Sequence, residues 1–490
     1  MTTFLQRTTE TKPEDVLQAL GTANHRLVSI FGSIAGDGTR RVHYVVDVDN
    51  REYRVFHCAA EGRIPSATPV TPAAAWYERE LHDQFGVAID GHPDLRPLVL
   101  HENWLEGAAP MLGALGEAPV ANRPYRFLQV RGEGVCEVPV GPVHAGIIEP
   151  GHFRFSVVGD TVLHLELRHF WTYKGTEKLF EGTPALSGAS IAESVSGDNC
   201  FAHAVAYCQA IENGFGVSVP PRGRALRLIG LELERMMSHI ADFGALGGDV
   251  GFAVPAAYTA RIKESLLQAS ARFFGTRYWR GIAVPGGVKR DLLPDHARQL
   301  ATLAAEAAQD FSEMAALVLE TPSVQNRFEG TGVLQRQAAT DLAVVGIVAR
   351  ASGLRFDVRR DHAYGRYREF ATEVSHFHGG DVMARARIRI AETAISARLI
   401  AETLKALPSG AIRAEVAPQR KAEGMSAVES PRGELLYWVR VREGRVARCH
   451  IKSPSFQNWP ALPLAMPGNI LADFPLINKS FNLSYSGCDR

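Results

Sequence analysis

The sequence predicts an α+β chain in which a small N-terminal α/β module precedes a mainly helical body with small β elements at both ends. Three observations predict it. Residues 41–48 and 53–57 alternate as strands do, close to the N-terminus. Leu226, Ile229, Leu233, Met236, Met237 and Ile240 recur at helical spacing in the middle of the chain. Strand-like alternation returns at 435–441 and 446–451.

Taken in order, residues 12–20 read as a helix and 76–85 as a second, short one, with the two strands between them. The small-residue run from Gly107-Ala108-Ala109-Pro110 to Gly116 marks the start of a linker. The expected division is a module over 1–115, a linker over 116–135 and a larger domain over 136–490. That domain opens with strands at 153–158 and 161–167, joined at Gly159-Asp160 by a tight hairpin turn. The stripe at 226–240 reads as core rather than as a cofactor box. Pro294-Asp295 opens a long amphipathic helix towards 319, because proline at a helix start gives up an N–H that has no partner there. Residues 384–407 form a third helix. No internal repeat or low-complexity tract interrupts the pattern.

Composition excludes several classes. Lys plus Arg equals Asp plus Glu at 53 each, so charge favours neither nucleic acid nor an anionic membrane surface. No apolar run reaches the roughly 20 residues that a membrane span requires. The start, Met1-Thr2-Thr3-Phe4-Leu5-Gln6-Arg7, lacks the basic and apolar regions of a secretory signal. Six scattered cysteines form no Cys-x-x-Cys pair, which suits a reducing compartment better than a disulfide framework. Pro285-Gly286-Gly287 and Gly330-Thr331-Gly332 read as tight turns. No Gly-x-Gly-x-x-Gly follows a strand, so direct nicotinamide binding by this chain is not expected.

Ordered motifs run along almost the whole length. Trp76-Tyr77-Glu78-Arg79-Glu80, Asp83-Gln84-Phe85-Gly86 and Gly91-His92-Pro93-Asp94-Leu95-Arg96 resemble the 30 kDa-type core subunit of respiratory complex I. Gly141-Pro142-Val143-His144-Ala145-Gly146-Ile147-Ile148-Glu149-Pro150-Gly151-His152 begins the second set. Lys174-Gly175-Thr176-Glu177-Lys178, Glu232-x-Glu234-Arg235-x-x-x-His239 and Asp357-Val358-Arg359 continue it. Gly380-Asp381-Val382, Glu429-Ser430-Pro431-Arg432-Gly433-Glu434 and Lys452-Ser453-Pro454 complete it. This set resembles the 49 kDa-type core subunit and the large subunits of energy-converting, membrane-bound nickel-iron hydrogenases. The resemblance implies a hydrogenase-large-subunit-like fold for the second domain.

In that hydrogenase family the chain end reads Ser-Phe-Asp-Pro-Cys-x-x-Cys. Here the stretch is Ser480-Phe481-Asn482-Leu483-Ser484-Tyr485-Ser486-Gly487, with Ser484 and Gly487 at the thiolate positions. The family's other Cys-x-x-Cys falls on Ser196 and Asn199. Nickel in such a site needs soft thiolate donors, and these four positions supply none, so no metal ligand is expected. Cys200 and Cys488 each lie one residue beyond a ligand position. One residue turns a helical side chain by about 100°, so they read as buried thiols rather than a substitute pair. In complex I two histidines stand four residues apart in the early motif, and the second meets the quinone head group. His144 matches the first, while Ile148 takes the place of the second.

The resemblance also supplies candidate site residues. Glu149 matches a proton-relaying glutamate beside the hydrogenase metal, and a carboxyl in a partly dry cleft suits that work. The alternative is a structural carboxylate. Arg432 matches an arginine overhanging the same site, and its donor fork suits an anion or a carbonyl oxygen. The alternative is an ion pair with Asp381 or Glu149. His144, His152 and His203 are candidate cofactor-binding side chains, each more often a structural donor than a ligand.

The function implied is that of a hydrophilic core subunit in a membrane-associated redox complex coupling electron transfer to ion translocation. This chain would bind no cofactor of its own except, in its cavity, a quinone or another small acceptor. Iron–sulfur clusters would reside in a partner. The implied partners are a small iron–sulfur subunit, a ferredoxin-like iron–sulfur subunit and antiporter-like membrane subunits. The chain would be cytoplasmic, held at the inner face of the cell membrane through them. Two alternatives stand: a non-catalytic scaffold, and an active nickel-iron hydrogenase with an atypical site.

Overall fold

The computed structural model describes residues 6–22, 24–104, 108–113, 124–144 and 148–490. The expected boundary at 115/116, linker residues 116–123 and Ala145, Gly146 and Ile147 of the early motif lie outside them. The remainder of the linker, 124–134, runs without helix or strand.

The N-terminal part is a four-stranded sheet of β1 (Gln6–Glu10), β2 (His25–Ile34), β3 (Arg40–Val48) and β4 (Glu52–Ala59), in the order β1-β4-β3-β2. Strands β2, β3 and β4 run antiparallel, and β1 adds parallel to β4. Helix α1 (Pro13–Leu20) and helix α2 (Ala75–Phe85) flank the sheet, close to the expected bounds. The motif on α2 is a structural lock. Buried Glu78 accepts hydrogen bonds from Ser66 and Thr68 hydroxyls at 2.6 Å. Asp83 Oδ2 accepts three consecutive backbone N–H groups, from Leu98, Val99 and Leu100, at 2.8–3.2 Å. These carboxylates satisfy buried donors that the loops cannot satisfy themselves.

The second part opens on an antiparallel three-stranded sheet, β5 (Val135–Val140), β6 (His152–Val158) and β7 (Thr161–Arg168), with the expected turn at Gly159-Asp160. The helical body follows: α3 (Cys200–Phe215), α4 (Pro221–Asp249), α5 (Val254–Phe274), α6 (Pro294–Glu320) and α7 (Val382–Lys405). Proline starts α4 and α6, and the Asp381 side chain caps α7 by accepting the Ala384 N–H at 2.7 Å. A second antiparallel sheet, β8 (Lys421–Ser430), β9 (Gly433–Arg442) and β10 (Arg445–Lys452), packs against α3. The approach is close enough to require glycine. A Cβ on Gly424 of β8 would sit 2.1 Å from the Ala210 carbonyl oxygen of α3. The short helices α8 (Phe474–Phe481) and α9 (Tyr485–Asp489) end the chain.

Helix α4 is buried on nearly every side because it runs through the centre of the body. Its polar residues are therefore paired. Glu232 meets Arg235 at 3.3 Å and Arg359 at 3.2 Å, and accepts the Ser396 hydroxyl at 2.6 Å. His239 meets Glu392 at 2.9 Å. Arg350 bridges Glu392 at 2.7 Å and Glu429 at 2.9 Å, and Arg359 holds Asp357 at 2.8 Å. Against the burial that would raise it, Arg235 and Arg359 hold Glu232 below the usual carboxylate range. Glu429 moves the other way, to about 7, through burial and repulsion from Asp357. Four carboxylates (Glu232, Asp357, Glu392, Glu429) share three guanidiniums (Arg235, Arg350, Arg359), which is consistent with one group tending to keep a proton.

The N-terminal sheet rests on β9 and β10. Glu434 at the start of β9 receives Arg26 of β2 through both carboxylate oxygens, at 2.8 and 2.9 Å. It also accepts from the Tyr53 hydroxyl at 2.6 Å and from Lys452 at 2.8 Å. Phe31 stacks on His450 with ring centres 4.1 Å apart. Arg490 ties the end of the chain to Glu80 of α2 and to Glu177.

Removing one partner from a buried ionic cluster strands the rest without compensation. Arg350→Ala is expected to cost about 3–5 kcal/mol, read from the urea midpoint. A loss below about 1 kcal/mol would show that the cluster does not carry the stability assigned to it.

Candidate functional site

The residues that the sequence singled out meet where α9, the start of α3 and the β8–β9 turn converge. Ser484 precedes α9 and caps it, its Oγ accepting the Gly487 N–H at 2.8 Å. Ser196 lies in the loop before α3, and its Oγ is 2.9 Å from Ser484 Oγ. Ser196 also donates to Asp198 Oδ1 at 2.7 Å. Asn199 occupies the cap position of α3 without capping it, and its buried Oδ1 has no hydrogen-bond partner. The two serines are thus engaged with each other, Gly487 offers no side chain, and Asn199 alone keeps an unused acceptor.

Arg432 sits in the β8–β9 turn. A Cβ on Gly346, whose φ is +67°, would come 2.0 Å from the Arg432 carbonyl oxygen, so glycine there lets the turn pack tightly. The Arg432 guanidinium pairs with Asp198, and Nη1 remains buried without a partner. The structural alternative, an internal ion pair, is realised with Asp198 rather than with Asp381 or Glu149. Asp381 is committed to capping α7, and the Glu149 carboxylate accepts the Ser486 N–H at 2.7 Å. Asp198 lies two residues from Ser196, so the arginine reaches the site through the segment that bears the ligand positions.

Glu149 is exposed in this chain, not partly dry as its motif led us to expect. Beside it, Lys174 donates to Ser486 Oγ at 2.5 Å and to the carbonyls of Ser194 and Val195 at 3.1 and 2.8 Å. Burial pushes the Lys174 ammonium down, while Glu149 and Asp489 pull it back.

The three histidines do not converge. His144 Nε2 binds the Gly151 carbonyl at 2.7 Å, and His152 Nδ1 binds the Gly141 carbonyl at 3.1 Å. His203, one turn after Asn199 on α3, pairs through Nδ1 with the Tyr437 hydroxyl at 2.8 Å and leaves Nε2 buried without a partner. Burial, with help from Lys174, lowers His203 to about 3, so its imidazole is neutral. Among the described residues no group of three or more His, Cys, Asp or Glu side chains is arranged to hold a metal ion. Cys200 and Cys488 are separate, free and buried thiols, and Cys200 donates to the Tyr278 carbonyl at 3.1 Å.

Three contributors carry no role in the sequence motifs alone: Asp198, Lys174 and Glu234. Each lies in a motif or ligand stretch, so the signal was present without an assignment. Glu234 on α4 accepts the N–H groups of Phe201 and Ala202 at 2.7 and 3.0 Å, which satisfies free donors at the start of α3. Burial pushes it from 4.5 up to about 8, over the opposing pull of those two donors. Glu234, Asp198, Asp242, Lys263 and Asn482 line a cavity of about 170 Å³, which is thus bounded by the residues two beyond Ser196 and two before Ser484 in the chain.

A carboxyl that holds its proton more tightly when folded adds stability at low pH that is lost as pH rises through its folded value. Glu234 therefore contributes a fall in stability between pH about 4.5 and 8, opposed below about 6.5 by His203 and the other buried neutral histidines, and Glu234→Gln is expected to remove that contribution. Urea midpoints across this range check it. Equal slopes for both proteins would remove Glu234 as the cause.

The family profile described as Respiratory-chain NADH dehydrogenase, 49 Kd subunit, matches residues 249–424 and 417–490. The 30 Kd subunit profile matches 8–113. Hydrogenase-4 component G of Escherichia coli is 32% identical over 475 residues, covering 94% of this chain and 81% of that protein. Formate hydrogenlyase subunit 5 of the same organism is 33% identical over 471 residues, 93% and 82% of the two chains. NADH-quinone oxidoreductase subunit 4 of Thermus thermophilus is 29% identical over 405 residues, 77% of this chain and 99% of that protein. A chain from the archaeal membrane-bound sulfane sulfur reductase superposes with a TM-score of 0.69 at 24% identity, over 73% of this chain and 99% of that one, a likeness of fold. The chain belongs to the family of fused 30 kDa-type and 49 kDa-type core subunits found among complex I-like and membrane-bound hydrogenase-like oxidoreductases.

Proposed function

We propose that this chain is the hydrophilic core subunit of a membrane-associated redox complex, that it works without a nickel-iron centre, and that the vacated position receives a small acceptor or a quinone head group. The donor set does not fit nickel and iron. Two hydroxyls bonded to each other, one carboxamide and one glycine replace four thiolates.

The observation that carries the ligand reading is a set of orphaned polar atoms. Asn199 Oδ1, His203 Nε2 and Arg432 Nη1 are buried around this position without hydrogen-bond partners. Buried polar groups normally find one, so a guest or ordered water completes them. Neutral His203 donates or accepts, Arg432 donates to an anion or a carbonyl, and exposed Glu149 exchanges protons with the surroundings. The adjacent cavity of about 170 Å³ is below the roughly 300 Å³ typical of drug-sized ligands. A quinone would therefore need a further wall from a partner. Val143 and Ile148, 83% and 52% exposed on the loop bearing Glu149, are apolar enough to meet one.

The proposed partners are a small iron–sulfur subunit delivering electrons, a ferredoxin-like subunit, and antiporter-like membrane subunits through which ions move. They would hold the chain at the inner face of the cell membrane. No helix among the described residues is long and apolar enough to cross one. The scaffold reading keeps one observation in its favour: the Ser196–Ser484 hydrogen bond ties the vacated position together.

Two measurements decide between these readings. The anaerobically purified complex is expected to carry no nickel above background, and about one atom per chain would return the protein to the nickel-iron enzymes. Glu149→Gln, in a complex that assembles normally, is expected to lower turnover about 100-fold. Unchanged turnover and ion transport would favour the scaffold.

A further inference from the structure

A second cavity of about 450 Å³ opens at the opposite end of α3, between the start of α4, the loop 364–368 and β8. At 1.5 Å per residue, Asn213 lies about 20 Å along the helix from Asn199, so this cavity is separate from the site above. Its volume falls within the roughly 300–1,000 Å³ of small-molecule sites.

Arg224, Arg366 and Arg368 all line it. Arg366 is 94% buried, and its Nε and Nη1 have no hydrogen-bond partner, although Nη2 reaches the Ala406 carbonyl at 2.9 Å. Glu369 Oε2 lies 3.1 Å from Arg366 Nε without making a hydrogen bond, and that carboxylate is half exposed. Arg224 and Arg368 have no ion pair among the described residues, and the buried Nε of Arg224 is also unpartnered. Arg368 is exposed and its Nε donates to the Ala363 carbonyl at 2.9 Å; partial burial, with repulsion from Arg224, pushes its guanidinium down.

The acids on the same wall are already committed. Glu212 receives Arg227 at 2.8 Å and the Gly286 N–H at 2.7 Å. Glu423 receives Arg440 at 3.1 Å and the Trp438 indole at 3.2 Å. Buried Arg366, with half-exposed Glu369 beside it, is thus joined on the cavity wall by Arg224 and exposed Arg368, neither of which has an ion pair among the described residues. Leaving buried donors unfilled is costly, and guanidinium forks match the oxygens of phosphate groups.

We infer that this cavity is a binding site for a small phosphate-bearing anion. Inorganic pyrophosphate is the probe, titrated calorimetrically into the intact complex. One site per chain is expected, weakened by rising sodium chloride. The double variant R224Q/R368Q, which leaves buried Arg366 in place and so spares the fold, is expected to bind about tenfold more weakly or worse. Arg366→Lys, keeping the charge but losing the fork, should also bind less tightly. Equal affinity in the double variant, or no binding at about 10 mM pyrophosphate, overturns the inference. So does binding to the free chain that vanishes in the complex, which would show that a partner's acidic segment fills the cavity.

Discussion

The ion cluster around Glu232 and Arg350 is the constraint on which the rest of the body depends. Taking several charges out of water is costly, and the cost is offset only when every partner is held in place. Its members come from α4, α7, β8 and the segment 350–359, so these pieces must arrive together. Two residues beyond Glu232, roughly 200° round the helix, Glu234 faces α3 and caps it. Three residues beyond Glu429, Arg432 turns towards Asp198. The cluster and the site are two faces of the same elements, and holding one aligned positions the other.

At the site, Ser196 and Ser484 do not leave an empty frame. Hydroxyls are hard, short donors that bond each other and the helix end, which is what Ser196 and Ser484 do. The surrounding positions keep more polarity than a purely structural seam needs. Lys174 anchors Ser486, Ser486 holds Glu149, and Arg432 is tied on one side and open on the other. Packing alone would favour apolar residues here, because unsatisfied buried donors destabilise the fold.

Long periodic helices and several strands were legible in the sequence. Residues 12–20, 76–85 and 294–319 fall within a residue or two of α1, α2 and α6. Strands β2 and β8 were not, for a physical reason. β3 and β9 are as deeply buried and were read, but β2 is interrupted by Ser29, Gly32 and Ser33 and β8 by Gly424, Ser426 and Ala427, small residues that weaken the strand signal and that close packing requires at Gly32 and Gly424. The same held at the site. Local motifs pointed to Glu149, Arg432 and the four ligand positions, but the partner of Arg432 depends on contacts more than 200 residues apart, which no spacing encodes. The exposure of Glu149 likewise follows from tertiary structure rather than from its neighbours in sequence.

The charge cluster on Glu434 draws Arg26 and Tyr53 from one module and Lys452 from the other. The two modules therefore share one buried ionic cluster. Cut apart, the C-terminal sheet would keep a buried lysine and glutamate short of two partners, and the N-terminal sheet would hold Arg26 through Asp47 alone. A covalent join raises the local concentration of each for the other to about the millimolar range. It also fixes their ratio at one to one as the ribosome makes them. Fusion thus acts as an assembly device: the interface forms within a single molecule, and no orphan half is left to aggregate or to compete for the remaining subunits.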